Sequence, residues 1–324
     1  MTQTASQALQ SPATIAQTLL PERRPGLAAS LLETTKPGIT RLVTITSMVG
    51  FVMAAAARTW SLPDLIVAAA VCMVGTALSA AGANSINQYM ERGRDALMKR
   101  TARRPLPQGR LSPRTVLLSG IGLSSAGVAL LLIVGLVPAL ISLACVVSYL
   151  AMYTPLKPRT ALATFVGAIP GALPPLIGWT AAAGTGSDSL RDIGGLSLFA
   201  LMFIWQIPHF LAIAWMYKDD YARGGYLVLP VIDPSGRWTA ATIAMWTAAL
   251  IPATLLPVAV MPDRLGMVYV TVAAVSGAVF AVLAIWVVIS RERAAARQLF
   301  FGSIMHLPLL LLTMTGEAVG RALG

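Results

Sequence analysis

The chain has 324 residues, of which 56% are hydrophobic and 11% are charged. Soluble domains carry about 25% charged residues, so this composition excludes an ordinary soluble protein and indicates a polytopic protein of the lipid bilayer. A net charge of +11 would suggest a nucleic-acid partner for a soluble protein, but basic residues retained on the cytoplasmic side of a membrane explain it here. We therefore predict no nucleic-acid partner.

Long apolar segments separated by short polar loops predict an all-α fold with nine membrane spans. We predict that residues 1–36 form a polar cytoplasmic tail and that residues 37–324 form one transmembrane domain. Pro155 is expected to end the fourth span, because proline disfavours a helical residue before it. The predicted spans cover residues 38–57, 65–89, 114–134, 137–153, 161–183, 195–217, 238–260, 265–289 and 298–319.

The distribution of basic residues predicts the orientation. If the chain starts in the cytoplasm and crosses nine times, all but four of the 24 Lys and Arg residues fall on the cytoplasmic side. This bias supports a cytoplasmic N-terminus and places loops 91–113, 154–160 and 218–236 on the same face. The four exceptions are Arg58, Arg191, Arg264 and Arg321.

Oxygen-bearing side chains recur every four residues at the end of the second predicted span. Asn87, Glu91 and Asp95 therefore share one helix face over roughly 12 Å. Carboxylate and amide oxygens in a row suit Mg²⁺, and Mg²⁺ suits a diphosphate, so we predict these three residues as metal ligands. The basic run that follows would neutralise phosphate oxygens, with Arg100 and Arg104 acting on substrate. That run comprises Lys99, Arg100, Arg103 and Arg104.

A second acidic pair, Asp219 and Asp220, follows the sixth predicted span, and Lys157 lies between the two acidic loops in sequence. We predict both aspartates as metal ligands on the opposite wall of one site. Asp95, Asp219 and Lys157 are the predicted catalytic groups, and Lys157 and Lys99 are predicted to bind diphosphate. The alternatives are a solvated loop for the aspartates and a lysine that snorkels to the membrane edge.

Gln206 and His209 lie one helical turn apart inside the sixth span. An ionisable residue within a span is a hypothesis of function, although His209 as a packed histidine is the alternative. His306 lies far from the polar clusters and is expected to be structural. Tyr149 and Tyr153 are predicted to present their π faces to a pocket, or else to anchor the chain at the membrane interface.

Taken together, these residues resemble the UbiA-type intramembrane prenyltransferases, and within that group the protoheme IX farnesyltransferases, also called heme O synthases. The resemblance extends over roughly residues 35 to 320. It implies a nine-helix bundle with a cytoplasm-facing cavity. The motifs that carry it are Asn87-Gln88-Tyr89, Asp95-Ala96-Leu97-Met98, Tyr153-Thr154-Pro155-Leu156-Lys157, Gly167-Ala168-Ile169-Pro170-Gly171-Ala172-Leu173-Pro174-Pro175, and Trp205-Gln206-Ile207-Pro208-His209-Phe210 followed by Lys218-Asp219-Asp220-Tyr221.

The resemblance implies Mg²⁺ as cofactor, with farnesyl diphosphate and heme b as substrates. The implied reaction joins the farnesyl group to a vinyl group of heme b and gives heme O for terminal oxidase assembly. His209 and Gln206 are then expected at the heme, and Tyr149 and Tyr153 at the prenyl chain and carbocation. Gly93 departs from the family pattern, which usually has an acidic residue there, so one expected carboxylate is missing.

The resemblance further implies the bacterial inner membrane, with the mitochondrial inner membrane as the alternative, and contact with heme A synthase or oxidase assembly proteins. Three other functions stay open at this point. A UbiA-type enzyme acting on another aromatic or tetrapyrrole acceptor is the first. A transporter is disfavoured because the carboxylates lie at one face rather than at mid-membrane. A non-catalytic heme chaperone would be indifferent to Asp95→Ala.

Overall fold

The computed structural model describes residues 25–184 and 186–323. Within these ranges the chain is helical, and no β-strand occurs. A π-helical segment, Ser148–Tyr153, joins α5 to α6, and a 3₁₀ turn, Ser187–Leu190, follows α8. The helices are α1 (Leu27–Thr34), α2 (Pro37–Ala55), α3 (Leu62–Asp95), α4 (Pro113–Leu131), α5 (Leu136–Val147), α6 (Thr154–Leu156), α7 (Ala163–Ala172), α8 (Pro174–Ala183), α9 (Ile193–Met216), α10 (Lys218–Arg223), α11 (Leu229–Ile232), α12 (Arg237–Val260), α13 (Met267–Ser290) and α14 (Arg293–Leu323).

The prediction of nine spans is confirmed for the part of the chain that the structure describes, where nine helical segments are long and apolar enough to cross a membrane. Two of these spans are composite, because α5 continues through the π-helical segment into α6, and α7 continues into α8. Pro174 lacks an N–H group, and the break between α7 and α8 falls at that proline. The expected end of the fourth span before Pro155 is wrong by one turn, since the span runs to Leu156.

Glycines allow the spans to approach at backbone distance. A Cβ atom built on Gly178 of α8 would fall on the carbonyl group of Ser47 in α2, and one built on Gly82 of α3 would fall on backbone atoms of α4. Small residues at such contacts are the usual means of packing helices in lipid, where dispersion replaces the hydrophobic effect. The composite span that contains α8 is accordingly the most buried of the nine, with 72% of its apolar 18-residue stretch buried in the bundle.

Helix α3 extends well beyond the thickness of a bilayer. Its 34 residues give a length of roughly 50 Å, against about 30 Å for the hydrocarbon core. The last turns of α3 therefore project from the membrane at the end of the bundle that carries the basic loops, which we call the polar end. Glu91 and Asp95 lie on this projecting part.

Part of the predicted N-terminal tail is packed against the bundle. Ser30 and Thr34 of α1 are buried, and the Thr34 hydroxyl lies 3.0 Å from that of Ser85 in α3. The Gln88 side chain donates to the carbonyl groups of Glu33 and Thr34 at 3.2 and 3.1 Å. The predicted boundary at residue 36 thus falls after an ordered helix, and residues 1–24 lie outside the described part of the chain.

Candidate active site

A cavity of about 380 Å³ opens at the polar end and runs inward between α2, α3, the composite fourth and fifth spans and α9. Its rim is lined by four basic and two acidic side chains. Its interior is largely apolar, and it reaches Thr76 of α3, roughly 22 Å along that helix from Glu91. The charged residues of the rim are Lys36, Arg100, Arg104, Lys157, Glu91 and Asp95.

The predicted face of α3 is confirmed, because Asn87, Glu91 and Asp95 are all buried on the same side of the helix. Glu91 and Asp95 line the cavity. Oδ2 of Asp95 accepts a hydrogen bond from Arg104 at 2.7 Å, whereas its Oδ1 is buried without a hydrogen-bond partner among the described residues. A buried carboxylate oxygen without a partner is costly, and a cation would satisfy it.

Asn87 does not line the cavity, and its contacts give no support to its predicted role as a metal ligand. Its Oδ1 accepts a hydrogen bond from Nζ of Lys36 at 2.5 Å, and its Nδ2 donates to Oγ1 of Thr154 at 3.0 Å. Both ends of the amide are therefore engaged by protein groups. Asn87 instead directs Lys36 to the rim, where Nζ also lies 3.4 Å from the hydroxyl of Tyr149.

Lys36 is a rim residue that sequence reasoning missed, because it was assigned to the tail. It has φ 49° and ψ 67°, in the left-handed region that few residues other than glycine adopt. Burial, together with the charge of nearby Arg104, lowers the pKa of Lys36 to about 7. A non-glycine residue in this conformation carries backbone strain, and the ammonium group has too little negative charge around it. Both features are typical of a site that binds an anion.

Tyr149, Tyr153 and Lys157 form a column that lines the cavity. The two tyrosine rings stack with centroids 5.7 Å apart, and Nζ of Lys157 lies 4.6 Å from the centroid of Tyr153. The π-helical segment widens the turn at these tyrosines, and such segments often occur at functional sites.

Lys157 also donates to Oε1 of Glu91 at 2.9 Å. Burial alone would lower the pKa of Lys157, but the Glu91 carboxylate and the surrounding tyrosines together hold it well above its ordinary value. Tyr226, which sequence reasoning did not select, also lies near this lysine, with its ring centroid 5.4 Å from Nζ. Lys157 is therefore a charged, fixed cation at the rim.

The two acidic loops meet at the polar end, as predicted. The carboxylate of Asp220 accepts hydrogen bonds from the backbone N–H groups of Lys99 and Arg100 at 3.2 and 3.3 Å, and it also pairs with Arg223. Burial alone would raise the pKa of Asp220, but Arg223 and these two N–H groups hold it below its ordinary value. Asp220 thus braces the loop after α3.

Neither Asp219 nor Asp220 lines the cavity, and the contacts that they make give no support to their predicted role as a second metal wall. The side chain of Asp219 is 67% exposed and pairs with Arg293 at 2.8 Å. Adjacent residues on a short helix point in different directions, so Asp219 reaches Arg293 while Asp220 reaches the backbone of the loop after α3.

Of the three predicted diphosphate-binding residues in the basic run, two line the cavity and one does not. The side chain of Lys99 is exposed and does not line the cavity, although its backbone N–H holds Asp220. Arg100 does line the cavity, and its guanidinium lies over the rings of Tyr217 and Tyr221 at 5.0 and 5.7 Å. Arg104 lines it as well, paired with Asp95.

Gln206 and His209 both line the cavity, one turn apart on α9. Nε2 of Gln206 donates to the carbonyl groups of Met202 and Ala168 at 2.8 and 3.4 Å, which leaves Oε1 as its remaining acceptor. The ring of His209 stacks on Trp205, with centroids 4.7 Å apart. The prediction that both side chains face the same way is confirmed.

Gly93 lies on the exposed side of α3, and a Cβ built on it meets nothing within 4 Å. An acidic residue there would face away from Glu91 and Asp95, so its absence removes no ligand from the cavity. We expect Gly93→Asp to leave the rate of product formation within about twofold of the original chain, as is usual for exposed substitutions. Initial rates measured over a range of Mg²⁺ concentrations test this, with Gly93→Ala as the control. A rise of about tenfold or more at low Mg²⁺ would contradict it.

The donor set fits Mg²⁺. Glu91 and Asp95 offer carboxylate oxygens on one helix face, and Oδ1 of Asp95 is buried without a partner. Among the described residues, no cluster of three or more His, Cys, Asp or Glu side chains could hold a metal by itself. Mg²⁺ commonly binds through one or two carboxylates and completes its shell with water and substrate phosphates, which is the arrangement that this rim allows.

Comparison with known proteins identifies the family. The model of the UbiA prenyltransferase family matches residues 43–307. The protoheme IX farnesyltransferase of Solibacter usitatus (strain Ellin6076) is 42% identical over 289 residues, which cover 86% of this chain and 95% of the relative. That of Myxococcus xanthus (strain DK1622) is 39% identical over 306 residues, which cover 93% and 98%.

Solved structures support the fold. A digeranylgeranylglyceryl phosphate synthase superposes with a TM-score of 0.73 at 14% identity, over 90% of this chain and 99% of the other. A UbiA homolog from Archaeoglobus fulgidus bound to DMAPP and Mg²⁺ superposes with a TM-score of 0.62 at 15% identity, over 88% and 99%. These matches confirm the predicted all-α, nine-span bundle as a UbiA fold. The chain is a member of the UbiA prenyltransferase family.

Proposed function

We propose that this chain transfers the farnesyl group of farnesyl diphosphate to a vinyl group of heme b and so produces heme O. Two relatives that match nearly their whole length to this chain are protoheme IX farnesyltransferases. The observation that carries the proposal is the single cavity in which a cationic rim containing Glu91 and Asp95 is continuous with an apolar interior containing His209. The charged rim suits a diphosphate, and the apolar interior suits a prenyl chain. The imidazole of His209 is placed to contact an aromatic macrocycle such as heme b.

The rim residues hold the diphosphate. With four basic and two acidic side chains, the rim has an excess of positive charge that suits a polyanion. Glu91 and Asp95 would hold Mg²⁺, and the bound ion would neutralise charge on the leaving diphosphate. Arg104 and Lys157 contribute fixed positive charge at the same end, where the developing charge appears, and Lys36 adds its charge there when a bound anion favours its protonated form.

The interior holds the prenyl chain and shields the allylic cation from bulk water until the acceptor attacks. Three isoprene units can lie extended along the roughly 22 Å between Glu91 and Thr76. The C–O bond breaks and its electron pair leaves with the diphosphate, giving an allylic cation beside the rings of Tyr149 and Tyr153. The vinyl π electrons of heme b then form the new C–C bond. A water molecule adds to the resulting cation and releases a proton, which leaves a hydroxyethylfarnesyl group.

The test is the mass of the heme extracted from membranes that contain heme b, farnesyl diphosphate and Mg²⁺, with and without this chain. We expect heme O only when the chain is present, and no heme O from Asp95→Asn as the matched inactive variant. Parallel reactions supplied with an aromatic acid or chlorophyllide test the other acceptors. A prenylated product from one of those and none from heme b would replace the proposal. Heme binding without any new product would point to a chaperone.

The proposed location is a bacterial inner membrane with the polar end in the cytoplasm. The charge bias supports this, and so do the contacts of the few basic residues at the other end. Arg58, Arg264 and Arg321 donate to the backbone carbonyl groups of Ala182, Met53 and Pro262 at 2.7, 2.7 and 2.9 Å. These arginines satisfy carbonyl groups at helix ends and loops, which explains their presence on that side. Contact with heme A synthase or oxidase assembly proteins stays a prediction.

A further inference from the structure

The hydrogen bond of His209 determines which ring nitrogen can meet a ligand. Nδ1 lies 2.6 Å from Oγ of Ser303 in α14, and that Oγ donates to the carbonyl group of Phe300 at 2.6 Å. A serine hydroxyl has one hydrogen, and a carbonyl oxygen cannot donate, so both 2.6 Å contacts are hydrogen bonds only if that hydrogen points to Phe300 and Oγ accepts from the ring. Nδ1 therefore carries the proton of the neutral imidazole, and Nε2 carries the lone pair.

The orientation of the ring is fixed by its neighbours. The imidazole stacks with the rings of both Trp205 and Phe300, with centroid distances of 4.7 and 5.3 Å. The indole N–H of Trp205 donates to the backbone carbonyl of Ser303 at 3.1 Å, which ties α9 to α14 at this level. His209 also lines the cavity and is only half-buried. The contacts of the ring therefore hold it in one orientation and one tautomer, in which the lone pair of Nε2 can bind a ligand.

We propose that Ser303 is a positioning residue that keeps Nε2 of His209 unprotonated and available to the iron of heme b. A histidine that ligates a metal usually donates its other N–H to an acceptor, which fixes the tautomer and raises the basicity of the ligand. Ser303 supplies that acceptor from a different span. The identity of the ligand rests on the proposed function, whereas the geometry of the pair does not.

His306 provides a matched control within the same chain. Its Nδ1 lies 2.9 Å from Oγ of Ser276, and that hydroxyl donates to the carbonyl of Val272 at 2.6 Å. The hydrogen-bond pattern is therefore the same as at His209. However, His306 is 1% exposed, does not line the cavity, and its Nε2 is buried without a partner among the described residues. Substitution of Ser276 should leave heme binding unchanged.

The experiment titrates the purified full-length chain in lipid nanodiscs with heme b and records the absorption and EPR spectra and the dissociation constant. We expect a nitrogen-ligated spectrum for the original chain. Ser303→Ala should weaken heme binding by about 10- to 100-fold and alter the spectrum, as is typical when such an outer partner is lost. Ser303→Thr, which keeps the hydroxyl, should restore both, and Ser276→Ala should match the original chain. His209→Gly should lose the ligand, and added imidazole should restore it.

Two results would overturn the inference: a spectrum and affinity of Ser303→Ala that equal those of Ser276→Ala, or a nitrogen-ligated heme in His209→Gly without imidazole. Heme O formation is measured separately on the original chain. If it forms no heme O but binds heme through His209, the proposed function fails and the role of Ser303 stands. If heme O forms and the Ser303 variants do not differ, only the role of Ser303 fails.

Discussion

Asp95→Asn is expected to lower the rate of farnesyl transfer by at least about 100-fold, the usual cost of removing one preorganised charge-stabilising group from an active site. Asp95 lines the cavity, its Oδ1 is a buried acceptor without a partner among the described residues, and its Oδ2 holds Arg104. The substitution removes the negative charge that would hold Mg²⁺ and replaces one oxygen by an amide. Asp219→Asn is expected to stay close to the original rate, because the exposed pair of Asp219 with Arg293 contributes little.

Initial rates of heme O formation for both variants, measured at several Mg²⁺ concentrations, test this contrast. Heme binding, followed by absorption, should be unchanged in both and shows that each variant is folded. Asp220→Asn should fall between them, because it loosens the loop at Lys99 and Arg100 without removing a rim charge. An Asp219→Asn rate as low as that of Asp95→Asn would show that Asp219 reaches the diphosphate when substrate is bound, and that its pairing with Arg293 is exchanged during the reaction.

The spans and the acidic face of α3 could be predicted because both depend on local periodicity. An apolar run of sufficient length must be helical in lipid, since its backbone groups have no other partner there. Likewise, a spacing of four residues places Glu91 and Asp95 on one side of a helix whatever the rest of the chain does. The side of α3 on which Gly93 lies follows from the same spacing, and so does the small consequence of its missing carboxylate.

The rest of the site depends on tertiary contacts that no local pattern records. The direction in which Asp219 and Asp220 point is set at Tyr217, where φ −108° and ψ 27° interrupt the helix between α9 and α10. The column of Tyr149 and Tyr153 depends on a π-helical turn, and the acceptor for His209 comes from Ser303, which is 94 residues away. Sequence reasoning found the residue types that the chemistry needs and missed the partners that orient them.

Lys36 carries the second large effect, because it is a rim cation that the sequence assigned to the tail. Lys36→Ala is expected to raise KM for farnesyl diphosphate and to lower kcat/KM by about 10- to 100-fold, since a charged hydrogen bond to a buried anion contributes about 1.5–3 kcal/mol. The control is Lys36→Gly, which also lacks the amine but suits the φ of 49° at this position. A left-handed conformation costs a non-glycine residue about 1–2 kcal/mol, so the glycine variant should unfold at a higher temperature than the alanine variant.

Equal loss of activity in Lys36→Ala and Lys36→Gly, with higher thermal stability for the glycine variant, would separate the two roles of this position: the ammonium group serves the diphosphate, and the backbone conformation that aims it is maintained at a cost in stability. Lys36→Arg should recover part of the affinity for farnesyl diphosphate, because it restores the charge with a different reach. An unchanged KM in Lys36→Ala would contradict the assignment. In that case the short contact of Nζ with Asn87 would serve only to attach the turn before α2 to α3.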